Sequence, residues 1–435
     1  MSKMEWPRLL SAKRLGKDKE PVYDPSRSPF QQDFDRIIFS TAFRRLQDKT
    51  QVFPLADNDF VHTRLTHSLE TSCVGRSLGT AVGHALKDRI GSVHPSDIGA
   101  IVAAACLAHD IGNPPFGHSG EDAIRHWFQG WQEKASFLTP AQKEDISRYE
   151  GNAQGFRLLT RLQMVIDKGG LQLTHATLGA FTKYPGVSLP ENKGPWSKKF
   201  GYFQAEAPFF DEIAANLGLL KRDGNWCRHP LVFLVEAADD LCYGLVDLED
   251  GFRLNYVTHQ ETFDLLSATI GNPKTTDNAL KIEDKKNRIE FLRAKAISAV
   301  IDQVRDRFLE AEDEILTGTL TQALTKQIPA QSALKEIQNI SSSQIYRARD
   351  VIEIEAAGFE VLGGLLNAFA AAALTPPTDK KDHNTKLLQL VPKQFLDKAT
   401  PYEQLLSILD FVSGMTDSYA VGLYKKIKGI SLPGS

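Results

Sequence analysis

The sequence has few cysteines, no long apolar run and no excess of charge of either sign. Its four cysteines are scattered and form no C-x-x-C pair, which argues against a disulfide framework or a zinc knuckle and is typical of a reducing cytoplasm. The opening residues MSKMEWPRLLSAKRLGKDKE lack the apolar core of a signal peptide. The apolar run at 98–108 is far shorter than the roughly 20 residues that a membrane span needs. We therefore expect a soluble cytoplasmic protein without a membrane segment.

The charge balance limits the classes of partner. The chain has 51 basic and 54 acidic residues, and its formal net charge is −3. A nearly neutral protein does not coat nucleic acid along its whole surface, although a local basic groove is compatible with this balance. Hydrophobic residues make up 42% of the 435 residues, which is ample for a large buried core.

Helical periodicity dominates the chain after its first 30 residues. The polar, charged residues 1–30 predict a loosely packed N-terminal arm. Residues 31–260 predict a helical catalytic core, and 261–435 a helical C-terminal region packed on it. Two breaks interrupt the pattern: 181–210, rich in Pro, Gly, Lys and aromatic residues, predicts a short hairpin or an ordered flap, and 375–384 is a polar loop. Neither resembles a linker, so we predict one all-α domain with a small hairpin or flap insertion.

The apolar spacing also places individual helices. A helical face begins at Phe34, Gly112 and the following Pro-Pro pair form a loop, and a further helix opens at His229-Pro230. The remaining predicted helices span 65–86, 96–108, 285–315, 348–373 and 402–427.

Two segments carry candidate metal ligands. His67 lies in one predicted helix, and the adjacent His109 and Asp110 lie at the end of another. Imidazole nitrogens with carboxylate oxygens suit Mn²⁺, Fe²⁺, Ni²⁺ or Zn²⁺ and tolerate Mg²⁺. A His-Asp dipeptide by itself is common. This pair, however, ends a strongly apolar helix, where an unpaired charge is costly to bury, and His67 has Arg64 and Glu70 as charged neighbours.

A third acidic group interrupts the helix that follows His229. Asp239, Tyr243 and Asp247 are spaced i, i+4 and i+8, so they share one face. A solvent-exposed face also shows such spacing. Here apolar residues surround the acids, which predicts a buried helix, and buried carboxylates are usually paired or metal-bound. We therefore take Asp239 as a fourth metal ligand.

The loop after the metal pair leads into a restarting helix. His118 and Glu121 fall in the segment GHSGED, with Ser119 as the expected helix cap. One interpretation is that Glu121 and Asp122 only favour the helix dipole. The other is that a histidine and a carboxylate beside a metal loop transfer a proton to a leaving oxygen.

Long segments of the chain resemble one family. The order His67, His109-Asp110, Asp239 is similar to the H…HD…D signature of the HD phosphohydrolases. More narrowly, the chain resembles the bacterial deoxyguanosine-triphosphate triphosphohydrolases over most of residues 27–251, in the motifs RSPFQQDFDRIIFSTAFRRLQDKTQVFPL, TRLTHSLE, AHDIGNPPFGHSGE, YEGNAQGFRLL and EAADDLCYGLVDLEDG. This resemblance implies the helical HD fold and hydrolysis of a deoxynucleoside triphosphate to the deoxynucleoside and tripolyphosphate.

The resemblance also implies roles for single residues. It makes His67, His109, Asp110 and Asp239 the metal ligands, His118 and Glu121 the catalytic pair, Arg64 a phosphate contact, Tyr243 a sugar contact that opposes a 2′-hydroxyl, and Gln51 with Asp247 the partners of the 3′-hydroxyl. Glu150 and Asn152 are candidates for the pocket wall, and Arg45 and Lys49 are basic neighbours without a fixed role.

The same resemblance implies cofactor and partners. Further histidine ligands of dinuclear HD enzymes are missing, so we expect one divalent ion, Mn²⁺ or Mg²⁺ first, with Fe²⁺, Ni²⁺ and Zn²⁺ as other candidates. The expected partners are a deoxynucleoside triphosphate and further copies of the chain in a hexamer or tetramer. The expected substrate is dGTP or several of the deoxynucleoside triphosphates.

Two alternatives stay open at this point. The same four ligands would serve another HD activity, a nucleoside monophosphatase or a cyclic-nucleotide phosphodiesterase. A nucleotide sensor or single-stranded-DNA-binding module is the non-enzymatic alternative, because the lysine- and aromatic-rich segment 181–210 has the side chains for stacking and phosphate contact.

Overall fold

The fold is almost entirely helical, which confirms the predicted all-α class. The computed structural model describes residues 2–24, 26–52, 62–164, 168–376, 379, 382–396 and 398–430. The last three residues of the motif 27–55, and residues 377, 378, 380 and 381 of the polar break at 375–384, lie outside the described part of the chain.

The elements in chain order are α1 (Trp6–Leu9), α2 (Pro29–Ile38), α3 (Thr41–Arg45), α4 (Arg64–Ala85), α5 (Pro95–Ala108), α6 (Gly117–Gln129), α7 (Pro140–Ser147), α8 (Gly151–Arg157), α9 (His175–Phe181), α10 (Ala207–Leu217), β1 (Lys221–Arg222), β2 (Asn225–Trp226), α11 (Val232–Arg253), α12 (His259–Ile270), α13 (Pro273–Leu280), α14 (Lys285–Glu310), α15 (Glu312–Leu316), α16 (Gln331–Ile340), α17 (Arg349–Leu374), α18 (Asp382–Gln389), α19 (Pro401–Ser413) and α20 (Asp417–Ile427).

Helices α4 and α5 form the antiparallel pair on which the site is built. Glycines let their backbones approach closely: a Cβ on Gly79 would lie 2.8 Å from the Ile98 oxygen, and a Cβ on Gly83 would lie 2.2 Å from the Pro95 oxygen. Because the helices run in opposite directions, the start of α4 lies beside the end of α5. This arrangement brings His67 next to His109, whose ring centroids are 5.2 Å apart.

The N-terminal arm is packed more tightly than its composition predicts. Met4, Trp6 and Leu9 are buried in the main core. The Trp6 indole N–H donates to Glu312 at 2.8 Å, and the Met4 amide donates to the Leu316 oxygen at 2.8 Å. The expectation of a loosely packed entry is therefore wrong for this segment, because a few large apolar side chains outweigh its many charged ones.

The two-stranded hairpin does not lie in the segment 181–210. Residues 182–206, all of them described, connect α9 to α10, end in a short 3-10 helix (Gln204–Glu206) and bury Phe200 and Phe203. Of the two alternatives for this segment, the hairpin is therefore wrong, and an ordered insertion is present. The hairpin joins β1 to β2 further along the chain. Its turn is Asp223-Gly224, with φ of 49° and 82°, and an Asp-Gly pair with two positive φ angles is the favoured short hairpin turn.

The C-terminal helices pack against α6. Helix α17 contacts α6, α18, α19 and α20 and contributes Leu362, Leu365 and Phe369 to a second core. By length and composition alone α17 is apolar enough to cross a membrane, a feature that the apolar run at 98–108 does not share. The core helix of a soluble protein passes the same test, and 44% of the apolar window of α17 is buried inside the protein.

Two long predicted helices are interrupted. The helix expected at 285–315 is divided at Ala311 into α14 and α15, and the one expected at 402–427 is divided by residues 414–416 into α19 and α20. The second interruption forms a tight turn, and residues 413–417 around it contact Arg45, Lys49 and Thr50.

A buried ion cluster joins α8 to α19. Arg157 contacts Asp410 through two nitrogens, Nε at 2.9 Å and Nη2 at 2.8 Å, and Glu206 through Nη1 at 2.6 Å. Gln154 donates to Asp410 at 2.9 Å, and Arg161 pairs with Glu206 at 2.8 Å. The charges are satisfied in pairs, as buried ionic groups must be.

Candidate active site

The four predicted metal ligands converge at the junction of α4, α5 and α11. One donor atom each from His67, His109 and Asp110 lies within 4.8 Å of the others. The Oδ1 atom of Asp239, on α11, lies 3.3 Å from His67 Nε2 and 3.4 Å from His109 Nε2. Two imidazoles and the Asp110 carboxylate thus form one close group, and the Asp239 carboxylate contacts both imidazoles. Such a donor set suits a divalent transition ion and accepts Mg²⁺.

The orientation of His109 fits a ligand role. Its Nδ1 lies 2.6 Å from the carbonyl oxygen of Cys106 in the last turn of α5. A carbonyl only accepts, so Nδ1 carries the proton and Nε2 is left to face the cluster. A backbone carbonyl that fixes the second ring nitrogen is the usual support of a metal-binding histidine.

The charges of the cluster also favour a cation. Burial alone would lower the pKa of His109, but the carboxylates of Asp110 and Asp239 raise it to about 9. Burial alone would raise the pKa of both acids, yet Arg64 and His109 hold the pKa of Asp110 below its usual range, and His109 and His67 hold that of Asp239 well below it. Both carboxylates are therefore charged, and positive charge between them is strongly favoured.

Arg64 links the cluster to a neighbouring cavity. Its Nη1 lies 2.5 Å from Asp110 Oδ2, and Asn113 donates to the other Asp110 oxygen at 2.6 Å. The Arg64 side chain is buried, and its Nε has no hydrogen-bond partner in the described part of the chain. A Cβ on Gly117 would lie 2.3 Å from Arg64 Nη2, so the guanidinium occupies space that only glycine leaves free.

The loop between α5 and α6 packs directly on α8. A Cβ on Gly112 would lie 2.1 Å from the Gly155 nitrogen and 2.2 Å from the Gly151 oxygen, so the two backbones touch. Phe116, with φ of 64°, precedes α6, and no side chain caps this helix. Ser119 lies inside α6, so its predicted capping role is wrong.

His118 and Glu121 are hydrogen-bonded to each other on the first turn of α6. His118 Nδ1 lies 2.9 Å from Glu121 Oε2, and the Gly151 amide donates to Oε1 at 2.5 Å. Burial alone would raise the pKa of Glu121, but these two hydrogen bonds bring it below its usual value. Since the carboxylate is charged, the Nδ1 atom of His118 is the donor, and Nε2 is available to another group. The His118 side chain is 71% exposed, so a ligand has access to it.

A cavity of about 220 Å³ opens beside Arg64 and His118. The residues that line it are Thr50, Gln51, Val52, Arg64, Phe116, His118, Ser119, Tyr243, Tyr346, Val351, Ile354 and Glu355. The Oε1 atom of Gln51 is buried and has no hydrogen-bond partner among the described residues. A buried acceptor without a donor costs free energy. A ligand that donates from a hydroxyl or an amine would remove this cost.

Asp247 is placed behind this cavity. Its carboxylate is buried and accepts a hydrogen bond from the Tyr346 hydroxyl at 2.8 Å. Burial raises the pKa of Asp247 well above its usual range. The sequence analysis missed Tyr346, which lines the cavity with its ring 5.5 Å from that of Tyr243. No motif marks Tyr346, because it comes from the C-terminal region.

A second, wider groove of about 520 Å³ lies on the other side of His118. Its lining includes four cations, Arg125, Arg148, Lys198 and Lys199, together with His118, Glu121, Asp122, Ser147 and Glu150. Glu150 pairs with Arg125 at 3.2 Å and with Lys199 at 3.6 Å, and accepts from Asn152 at 3.3 Å. Glu150 thus forms part of the groove wall, and Asn152 contacts Glu150.

Three basic residues have places that the sequence analysis did not assign. Lys183 pairs with Glu236 at 3.4 Å, and its charge helps to lower the pKa of Asp239. Lys49 and Arg45 hold backbone carbonyls of the C-terminal corner instead of facing the cavity. Lys183 belongs to the lysine-rich segment 181–210, and this composition is the feature of the sequence that could have predicted a basic residue near the site.

The comparisons with known proteins agree with this geometry. Residues 64–147 match the HD domain, and residues 324–426 match the Phosphohydrolase-associated domain. The chain is 44% identical to a deoxyguanosinetriphosphate triphosphohydrolase-like protein of Synechocystis sp., across 99% of this chain and 100% of that one. It is 36% identical to a protein of the same description from Listeria monocytogenes, across 98% and 100%. It is also 29% identical to the deoxyguanosinetriphosphate triphosphohydrolase of Serratia proteamaculans, across 94% and 95%.

Similarity at this level extends over both matched regions and the segments between and around them. The part of the sequence that carries the candidate ligands lies within the HD match, apart from Asp239 on α11. The chain therefore belongs to the deoxyguanosinetriphosphate triphosphohydrolase-like family of HD-domain phosphohydrolases.

Proposed function

We propose that the protein hydrolyses deoxynucleoside triphosphates to the deoxynucleoside and tripolyphosphate. The observation that carries this proposal is the position of Arg64 and His118. Both line the cavity beside Tyr243 and Tyr346, while Arg64 also holds the cluster residue Asp110. A ligand with its sugar between the tyrosines would bring its α-phosphate to the ligand cluster.

The four cluster residues would hold one divalent ion, Mn²⁺ or Mg²⁺. When bound, such an ion supplies Lewis-acid neutralisation of the charge on the phosphate oxygens. Arg64 would bind the α-phosphate, because its side chain lines the cavity and its Nε has no hydrogen-bond partner among the described residues. Positioning and charge neutralisation supply most of the catalysis in phosphoryl transfer.

His118 would supply the proton for the leaving 5′-oxygen. Glu121 accepts the hydrogen bond from Nδ1–H and holds the ring, so that a proton on Nε2 can pass to the substrate. The tripolyphosphate would lie along the groove of Arg125, Lys198 and Lys199 on the far side of His118. Four cations line this groove together with the carboxylates of Glu121, Asp122 and Glu150, and a polyphosphate chain would pair with the cations.

Sugar selectivity would come from both the hydrogen bonds and the shape of the cavity. The unpaired Gln51 Oε1 would accept from the 3′-hydroxyl, and the hydrogen bond from Tyr346 to Asp247 would hold the tyrosine ring beside the sugar. Tyr243 would pack on the sugar and leave no space for a 2′-hydroxyl. A site that hydrogen-bonds a hydroxyl strongly rejects ligands without it.

Product analysis tests the proposal. The purified protein is incubated with each of the four deoxynucleoside triphosphates and with GTP, in Mn²⁺ or Mg²⁺, and products are separated by anion exchange. We expect deoxynucleoside and tripolyphosphate, no turnover of GTP, and none with a chelator or in the Asp239→Asn variant. Release of orthophosphate or a monophosphate would assign the protein to another HD activity. Absence of turnover would favour a nucleotide sensor or a single-stranded-DNA-binding protein.

The assembly and location are predictions as well. We expect a homo-oligomer, a hexamer or a tetramer, in the cytoplasm, and single-stranded DNA as a candidate ligand of the lysine-rich loop 181–210. Sedimentation equilibrium with and without an oligonucleotide distinguishes these states, and a monomer at micromolar concentration would contradict the first expectation.

A further inference from the structure

One buried carboxylate from the C-terminal region contacts two walls of the cavity. Asp417, in the first turn of α20, is 1% exposed. Its Oδ2 accepts from the Thr50 amide at 2.9 Å and from the Thr50 hydroxyl at 2.6 Å. Its Oδ1 accepts from the Phe116 amide at 3.0 Å. Three donors from two distant segments thus converge on a single side chain.

Each segment that Asp417 holds carries a residue of the proposed site. Thr50 directly precedes Gln51, which lines the cavity and whose buried Oε1 has no hydrogen-bond partner among the described residues, and Phe116 is two residues before His118. The Phe116 amide lies at the start of α6, where no side chain caps the helix. The Asp417 carboxylate therefore sets the distance between the hydroxyl-binding wall and the helix turn that carries His118.

Asp417 is not needed as a cap of its own helix. The Thr416 side chain accepts from the Tyr419 amide and caps α20. Other contacts also anchor the corner at 413–418 to the core. Lys49 donates to the Ser413 oxygen at 2.9 Å, Arg45 donates to the Gly414 oxygen at 2.8 Å, and the Ser418 hydroxyl donates to Asp48 at 2.9 Å. The corner would therefore stay docked if the Asp417 carboxylate were lost.

We propose that Asp417 is a positioning residue, through which the C-terminal region holds Gln51 and His118 at the spacing that the reaction requires. This proposal rests on the proposed function for its catalytic consequence, but the contact itself can be measured separately. A carboxylate only accepts, whereas an amide has one acceptor atom and one donor atom. In Asp417→Asn the amide NH₂ would therefore face either the Thr50 donors or the Phe116 amide, and one of the two walls would be released.

The experiment compares Asp417→Asn with Ser418→Ala, a neighbouring change that removes only the exposed contact to Asp48. Amide hydrogen exchange is measured at Thr50 and Phe116, and kcat and KM are measured for a deoxynucleoside triphosphate and for its 3′-deoxy analogue. We expect faster exchange at one or both amides in Asp417→Asn. We expect kcat to fall about 10- to 100-fold, the loss typical of a misplaced reacting group. We also expect a smaller ratio of kcat/KM between the deoxynucleoside triphosphate and its 3′-deoxy analogue. Ser418→Ala should match the wild type within about twofold in all readouts, as expected for a surface change.

The outcomes separate this proposal from the proposed function. Unchanged exchange at both amides, or faster exchange with unchanged kcat and unchanged 3′ preference, would overturn the role of Asp417. A wild-type protein without triphosphohydrolase activity would instead refute the proposed function, and the exchange measurement would still decide whether Asp417 holds the two walls. If Asp417→Asn does not fold, Thr50→Val replaces it. That variant removes one of the three donors and should lower kcat in the same direction, and an unchanged kcat would count against the proposal.

Discussion

The ion cluster between α8 and α19 allows a quantitative test of how the C-terminal region is held. In Asp410→Ala, Arg157 loses the bidentate contact of Nε and Nη2 and keeps only Glu206. The Arg157 side chain is 5% exposed, so water does not replace the lost partner. Removal of one member of a buried pair costs about 3–5 kcal/mol in the free energy of unfolding, because the other charge stays buried without full compensation.

A surface pair of similar length is the matched control. Arg27 and Asp35 are 2.6 Å apart, compared with 2.8 Å for Arg157 and Asp410, but their side chains are 63% and 41% exposed. Asp35→Ala should cost less than about 1 kcal/mol. A double variant, Arg157→Met with Asp410→Leu, should recover much of the loss, since no guanidinium is then left buried and Glu206 keeps Arg161.

Urea unfolding followed by tryptophan fluorescence and by circular dichroism gives the three differences in free energy. The reasoning would be refuted if Asp410→Ala cost no more than Asp35→Ala, or if the double variant were less stable than Asp410→Ala. The first result would mean that water reaches Arg157, and the second that the ion pair itself, and not the unpaired charge, dominates the effect.

Two further predictions concern the site. His118→Ala should lower kcat by about 10²- to 10⁴-fold, the usual contribution of a general acid, while Mn²⁺ still raises the melting temperature as in the wild type. Asp239→Asn should lose both the activity and this rise in melting temperature. If Mn²⁺ no longer raises the melting temperature of His118→Ala, His118 is a metal ligand. Asp247→Ala and Tyr346→Phe should both reduce discrimination against 3′-deoxy substrates, because each breaks the same hydrogen bond; if competition kinetics show the preference lost only in Asp247→Ala, Tyr346 has no part in it.

The sequence could place the four candidate ligands near one another because they lie on regular helices or directly after one. The apolar surroundings of Asp239 and the helix end before His109 are local patterns, and the antiparallel contact of α4 with α5 brings His67 beside His109. Tyr346 and Asp417 could not be predicted in this way. Each contacts the site across a long sequence separation, 99 residues for Tyr346 to Asp247 and 367 for Asp417 to Thr50, and no periodicity reports such contacts.

The wrong predictions for the hairpin and for the N-terminal arm have a different cause. Composition over a long window favoured 181–210 and a loose start of the chain. The structure instead follows short local signals, the Asp223-Gly224 turn and the large apolar side chains near Trp6. A two-residue turn or three buried side chains change the average composition very little, although they decide the local conformation.

The contact between Gly112 and α8 bears on how these motifs evolve. Gly112 touches the backbone at Gly151 and Gly155, so the segments HDIGN and EGNAQG form a single packed unit although about 40 residues separate them. A side chain at Gly112 or Gly151 would push the loop away from its support, and one at Gly155 would clash with Phe181. We expect the two segments to be inherited together, and a transplant of the HD loop alone into another helical scaffold to lose its geometry unless the glycine-bearing helix is moved with it.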